Sequence, residues 1–309
     1  MSASYRPRRV ERTVRDALAD TRVVTVNGAR QVGKRTLVHA LLADLPGARE
    51  RKLDHAAERE AARLDPTGFV RHSGLLAIDE IQREPELILA IKAAVDDDPS
   101  PGRFLLTGSA RLLGLRGLPD ALVGRMETVE LWPFSQGELH GGLDRFVDVI
   151  FNDDWRAALD LPGIGSTSRD DYLERALCGG FPEAVRRSEP RRAKFFTEYL
   201  DDLSDRDVTQ LAEIARGAEL RRLIRLLAGA LAQPLNVSRF ASELGISART
   251  VERYIAVFEE IFLIKRLDGW ASSETGRAQR LRKLIFVDSG SRRTFLASRS
   301  SGFADPTLR

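Results

Sequence analysis

Val23-Val24-Thr25-Val26-Asn27-Gly28-Ala29-Arg30-Gln31-Val32-Gly33-Lys34-Arg35-Thr36-Leu37-Val38 is the stretch that decides the fold. An apolar run turns through a glycine-bounded loop into a second apolar run, Leu37 to Leu42, so a buried strand is followed by a helix. The glycines let the backbone curl until consecutive N–H groups point at one centre. The helix behind the loop adds the positive end of its dipole, and Lys34 reaches the outer oxygens of a phosphate chain. Gly28, Ala29, Arg30, Gln31, Val32, Gly33 and Lys34 are therefore expected to cradle phosphates. A plain glycine turn is the competing reading.

A second motif weighs against that competitor. Gly74-Leu75-Leu76-Ala77-Ile78-Asp79-Glu80 is another short apolar strand, ending in two carboxylates about one βαβ unit downstream. Adjacent acids at a strand's carboxyl end can divide the work in a Walker B pattern. Asp79 would hold a magnesium ion through its water shell, and Glu80 would polarise the attacking water. Alone, the pair would read as an exposed turn after a core strand; with the glycine loop upstream it points to nucleotide chemistry.

One position departs from that pattern. The residue after the lysine is normally Ser or Thr, whose hydroxyl ligates magnesium directly, and here it is Arg35 followed by Thr36. A shift of one residue on a helix turns a side chain by about 100°, so Thr36 cannot take over that ligand. Arg35 and Thr36 remain candidates for contacting phosphate oxygens. Nucleotide binding is expected, and metal dependence and hydrolysis are the properties placed in question.

The 309 residues suffice for two domains, and 43% apolar content suffices for their cores. No apolar stretch approaches the roughly 20 residues that cross a bilayer, and no apolar segment follows the basic start, so no membrane partner is expected and the cytoplasm is the default. The formal net charge of +3 is weak support for an acidic partner. The single cysteine, Cys178, excludes an intrachain disulfide and a cysteine-built zinc site, and reads as a buried structural thiol. The four histidines are scattered and suggest no metal site.

Along the chain, residues 8–20 read as an amphipathic helix, 54–64 as a charged helix ending at Asp65-Pro66, and Glu86–Val95 as a third, closed by a solvated Asp96-Asp97-Asp98 turn. Arg103 to Ser109 is another buried strand, and the last strand is placed around Val129 to Ser135. Nearly all-apolar strands alternating with helices predict an α/β fold, a parallel sheet covered on both faces. Turn-rich residues 140–170 are the linker candidate, followed by a helix from Lys194 to Val208 whose aromatics read as core.

Residues 220–270 look like a DNA-binding type of unit. Leu223, Leu226, Leu227 and Leu231 line one helix, Val237–Leu244 forms a second, and Ser247 caps a third running to about Phe262. Val251, Tyr254, Ile255 and Phe258 face inward, leaving Arg249, Glu252 and Arg253 outward, where a recognition helix would touch DNA. Leu263–Leu267 and Leu284–Val287 would supply wing strands. A packing module without DNA contact is the alternative.

With these residues in hand, the chain resembles the prokaryotic AAA+ ATPases that join a P-loop domain to a winged-helix segment and a C-terminal domain of unknown function. The resemblance rests on Gly28 to Lys34, Asp79-Glu80-Ile81-Gln82, Leu106-Thr107-Gly108-Ser109, Gly124-Arg125 with Pro133-Phe134-Ser135, Gly179-Gly180-Phe181-Pro182-Glu183, Arg206-Asp207 and Val287-Asp288-Ser289-Gly290. It implies that Thr107 or Ser109 senses the terminal phosphate and that Arg125 is a candidate arginine finger, an ordinary surface or capping role being the alternative. It further implies a P-loop domain over 1–140, a linker and helical lid over 141–215, a winged helix over 216–270 and a shortened C-terminal segment over 271–309, with nuclease activity not expected. ATP and magnesium are the implied cofactors. The function expected is ATP binding with at most modest hydrolysis; the rival is a nucleotide-bound regulator working through the winged helix. DNA, a protein partner or a second copy of the chain are the candidate partners.

Overall fold

The computed structural model describes residues 5–109, 122–141, 144, 147, 149, 151, 167–203, 217–230, 233–273 and 281–297. The chain divides into two compact units, 1–132 and 133–309. That division falls before the boundary near residue 140 expected from sequence. Arg206-Asp207, Leu231 and most of the 140–170 linker lie outside the described residues.

The first unit runs α1 (Val10–Asp20), β1 (Val23–Asn27), α2 (Lys34–Ala43), β2 (Arg49–Lys52), α3 (Ala56–Leu64), α4 (Pro66–Val70), β3 (Leu76–Asp79), α5 (Leu87–Asp97), β4 (Phe104–Gly108) and β5 (Met126–Glu130). A single 3-10 turn, Ile81–Arg83, follows β3. The five strands form one sheet in the order β2-β3-β4-β1-β5, parallel throughout. Every residue of β1, β3 and β4 is buried, as strands covered on both faces must be, whereas β2 and β5 are edges with exposed positions. Val23, Leu76, Ile78, Phe104 and Leu106 pack with Phe69 and Val70 of α4 and with Leu87, Ile88, Ile91 and Val95 of α5. β1 lies between β4 and β5 while the chain leaves it for the far edge, and such a reversal opens a crevice at the strands' carboxyl ends.

Two expectations change here. α5 continues through Asp97, so Asp96 and Asp97 belong to its last turn rather than to a solvated loop. β5 begins at Met126 and ends at Glu130, three residues before the strand start expected at Val129. Its Glu127 and Thr128 are exposed on the sheet edge, so this strand lacks the apolar run that marks β1, β3 and β4.

The second unit comprises α6 (Gln136–His140), α7 (Arg169–Cys178), α8 (Pro182–Val185), α9 (Glu189–Asp202), α10 (Gly217–Gly229), α11 (Val237–Leu244), α12 (Ala248–Glu260), β6 (Ile264–Leu267), β7 (Lys283–Phe286) and α13 (Ser289–Ala297). Phe195, Phe196 and Tyr199 of α9 are buried around Phe181, with ring centroids 5.2–6.4 Å from it, so this aromatic stripe is core. α11 closes on Gly245 in the left-handed region, and Ser247 caps α12 by accepting the Thr250 N–H at 3.0 Å. β6 and β7 pair antiparallel, Ile264 beside Phe286. α13 packs on α7, α9 and α10, so residues 289–297 are part of this unit rather than a separate tail.

Asp288 joins two of the motifs. It is 4% exposed, and its carboxylate accepts the Gly180 N–H at 2.6 Å and the Ser291 N–H at 2.8 Å. A Cβ on Gly179 would stand 2.4 Å from that carboxylate, and one on Gly180 would stand 2.2 Å from the Phe134 carbonyl. The glycine pair therefore lets the backbone approach both partners. Cys178, expected to be buried, is half-buried at the end of α7, and burial still pushes its thiol above the ordinary range.

Candidate nucleotide-binding site

β1 ends at Asn27, and the glycine loop leaves it at the crevice. Gly28 is required here because a Cβ would lie 2.3 Å from the Leu131 carbonyl, just past β5. Gln31 and Gly33 both take left-handed backbone, with φ of 60° and 103°. Alternation of this kind gathers successive N–H groups into an anion-binding concavity. Gly33 is the N-cap of α2 and supplies no side-chain acceptor, so the first amides of a ten-residue helix face the loop without a cap. Lys34 is 5% exposed, and its Nζ donates to the carbonyls of Gly28 at 2.9 Å and Ala29 at 3.0 Å. The ammonium thus lies across the loop's mouth. Arg35 and Thr36 point their side chains to solvent, Arg30 is half-buried, and Ala29 and Val32 are buried.

The acids stand at the carboxyl end of β3. Asp79 is 7% exposed, and burial raises its carboxyl above the ordinary range, with the nearby charges of Glu80, Asp54 and Glu50 adding to the rise. Thr107, at the end of β4, opposes it: its Oγ1 donates to Asp79 Oδ1 at 2.5 Å and accepts the Glu80 N–H at 3.1 Å. Glu80 has φ 59°, a left-handed conformation that costs a side-chain-bearing residue roughly 1–2 kcal/mol. Its carboxylate accepts from Gln82 Nε2, which also donates to Ser109 Oγ at 2.9 Å. One network therefore links Asp79, Glu80, Gln82, Thr107 and Ser109. The sequence alone gives Gln82 no role; its place in the turn directly after the acid pair is the signal that marks it.

Arg125 is not brought to this network. It precedes β5, its carbonyl accepts the Val23 N–H at 3.2 Å, and its Nε donates to Asp96 Oδ1 at 2.6 Å. Because β5 runs parallel to β1 with Met126 beside Val23, Arg125 is at the amino end of the sheet. The glycine loop begins about 16 Å further along, five residues at the strand rise. Arg249 and Arg253 belong to the second unit, both exposed on α12.

The donor sets differ in how they suit the expected ligands. Backbone amides and a lysine suit a phosphate chain. A buried carboxylate repelled by neighbouring acids suits magnesium on one side, since that ion takes one or two carboxylates together with phosphate and water. The loop does not supply the usual hydroxyl opposite, because Arg35 occupies that position.

Residues 20–140 match the family described as AAA domain, and residues 169–301 match a domain of unknown function, DUF8612. Residues 20–140 are thus an AAA domain of the P-loop type. An uncharacterized protein of Mycobacterium tuberculosis is 29% identical over 282 residues, covering 90% of this chain and 56% of that protein. A second, from Haemophilus influenzae, is 24% identical, covering 74% and 54%. The chain thus spans about half the length of the curated relatives it matches. Among solved structures, the chain is similar to the Thermotoga maritima RuvB Holliday junction branch migration motor, at 17% identity and TM-score 0.38, covering 89% of this chain and 91% of that one. It is also similar to AMPPCP-bound DnaA from Aquifex aeolicus, at 15% identity and TM-score 0.32, covering 81% and 86%. The AAA domain is a nucleotide-binding fold, and among the described residues no helix is long and apolar enough to cross a membrane.

Proposed function

We propose that the AAA domain binds ATP through the backbone of Gly28–Gly33 and through Lys34, and hydrolyses it slowly. The observation that carries this reading is the loop itself: two left-handed residues and an uncapped helix start, with a buried lysine folded over them. Asp79 is the residue that would hold magnesium, which when bound screens phosphate charge. Glu80 would polarise the attacking water, and Thr107 or Ser109 would sense the terminal phosphate. Arg35 is the reason for slow turnover, as a cation where a metal-ligating hydroxyl is usual. Arg125, at the far end of the sheet, would serve as a finger only for the nucleotide of another copy, so a homo-oligomer belongs to this reading.

Calorimetry with ATP in magnesium and in EDTA, paired with a turnover assay, tests it. Lys34→Ala should weaken binding at least tenfold, about 1.4 kcal/mol. Wild-type affinity should change little between magnesium and EDTA, and Arg35→Thr should raise both metal dependence and turnover. Equal ATP affinity in Lys34→Ala would reject nucleotide binding through this loop, and fast, strictly magnesium-dependent turnover by the wild type would reject the role given to Arg35.

A second reading is supported by the second unit, where α11, a glycine turn and α12 are followed by the β6–β7 pair in the manner of a winged helix. Arg266 pairs with Glu252 and Glu259, while among the described residues Arg249 and Arg253 make no salt bridge. Those two free guanidinium groups on an exposed helix would meet DNA phosphates, making the protein a nucleotide-bound regulator.

A further inference from the structure

Arg8, just ahead of α1, is 6% exposed. Its Nη1 donates to the Val32 carbonyl at 3.1 Å and its Nη2 to the Trp132 carbonyl at 2.5 Å. Val32 is the residue between the two left-handed positions of the loop, Gln31 and Gly33. No peptide bond among the described residues is cis, and in a planar trans peptide the carbonyl of one residue and the N–H of the next point in opposite directions. Holding the Val32 carbonyl towards Arg8 therefore turns the Gly33 N–H away from it. Without that anchor, the Val32–Gly33 peptide lies between two residues whose ψ and φ can rotate together and reverse it.

We propose that Arg8 is a positioning residue for the phosphate site: it locks the Val32–Gly33 peptide so that the Gly33 N–H faces the nucleotide's phosphates. The inference rests on the nucleotide reading above and names a residue outside the glycine loop. A guanidinium suits the task. Its planar fork offers donors in two directions at once, one to the loop and one to the Trp132 carbonyl just past β5, whereas an ammonium on a flexible stem has no fixed fork. The positive charge also polarises the Val32 carbonyl and so strengthens the N–H on the other side of the same peptide.

The test uses the full chain with ADP as probe. Arg8→Gln and Arg8→Lys, each checked for folding by circular dichroism, should bind ADP about tenfold or more weakly than wild type. In two-dimensional amide spectra, the wild-type Gly33 resonance should move on addition of ADP, and in the variants it should be displaced before ADP is added. A strut without this role would lower the melting temperature yet leave ADP affinity and the Gly33 resonance of the folded variant unchanged. That result overturns the proposal, as does a wild-type Gly33 resonance that ignores ADP, a measurement needing no variant. A wild type that binds neither ADP nor ATP defeats the nucleotide reading and this inference together; wild-type binding with unaffected variants defeats this inference alone.

Discussion

Thr107 on β4 donates its hydroxyl proton to Asp79 on β3 across 2.5 Å, and both residues are buried. The same oxygen accepts the Glu80 N–H, so a single hydroxyl fixes both acids. Thr107→Val keeps the branched shape of the side chain and deletes the bond. Loss of a hydrogen bond to a charged group should cost about 1.5–3 kcal/mol. Urea unfolding at unchanged m-value would read this as a lower midpoint; an unchanged midpoint would mean that the bond adds nothing to stability.

Asp79 should impose a pH slope. Burial raises its carboxyl above the ordinary value, so between the ordinary and raised values the folded state holds more proton than the unfolded state. The corresponding stability is present at low pH and is lost as pH rises through the raised value. Asp79→Asn removes the titration. Unfolding of both proteins from about pH 4 to about pH 8 should therefore show wild type losing ground to Asp79→Asn as pH rises. A difference flat with pH would show that the carboxyl titrates normally.

Two glycines should respond oppositely to alanine. At Gly28 a Cβ meets the Leu131 carbonyl at 2.3 Å, and that atom is backbone held by the Leu131 N–H to Asn27 at 2.7 Å, so it cannot swing away. Gly28→Ala should destabilise by about 1–3 kcal/mol. Gly229, at the end of α10, has nothing within 4 Å of its would-be Cβ, and Gly229→Ala should be neutral or stabilise by up to about 1 kcal/mol. Thermal midpoints of the two variants decide the matter.

If Arg249 and Arg253 touch DNA phosphates, each contact removed should make the plot of log affinity against log salt shallower by about 0.9. Fluorescence anisotropy with a short duplex, for wild type and for the Arg249→Ala, Arg253→Ala double variant, measures this. Unchanged affinity and slope would leave α12 as a packing element.

The sheet was legible because β1, β3 and β4 are buried on both faces and so must be apolar along their whole length. β5 was misplaced because an edge strand needs only one covered face, and Met126-Glu127-Thr128 carries no apolar run. The glycine loop and acid pair were legible because backbone curvature and charge at a strand end demand particular residue types. Gln82 and Arg8 were not, since one acts through a turn conformation that Glu80 adopts against its own preference, and the other through two main-chain carbonyls that no side-chain pattern records. The placement of Arg125 likewise depends on which end of a parallel strand it occupies, and that requires the register.

The bond from Gly180 to Asp288 spans 108 residues. During synthesis, the turn between α7 and α8 emerges long before its partner exists, and until then the Gly180 amide has only water. At about 5–20 residues per second, that wait lasts roughly 5–20 seconds. Closing so long a loop carries an entropic cost that local helix formation does not. The first unit has all five strands of its sheet in the chain by Glu130, well before Asp288, the residue that closes the 108-residue loop, is made.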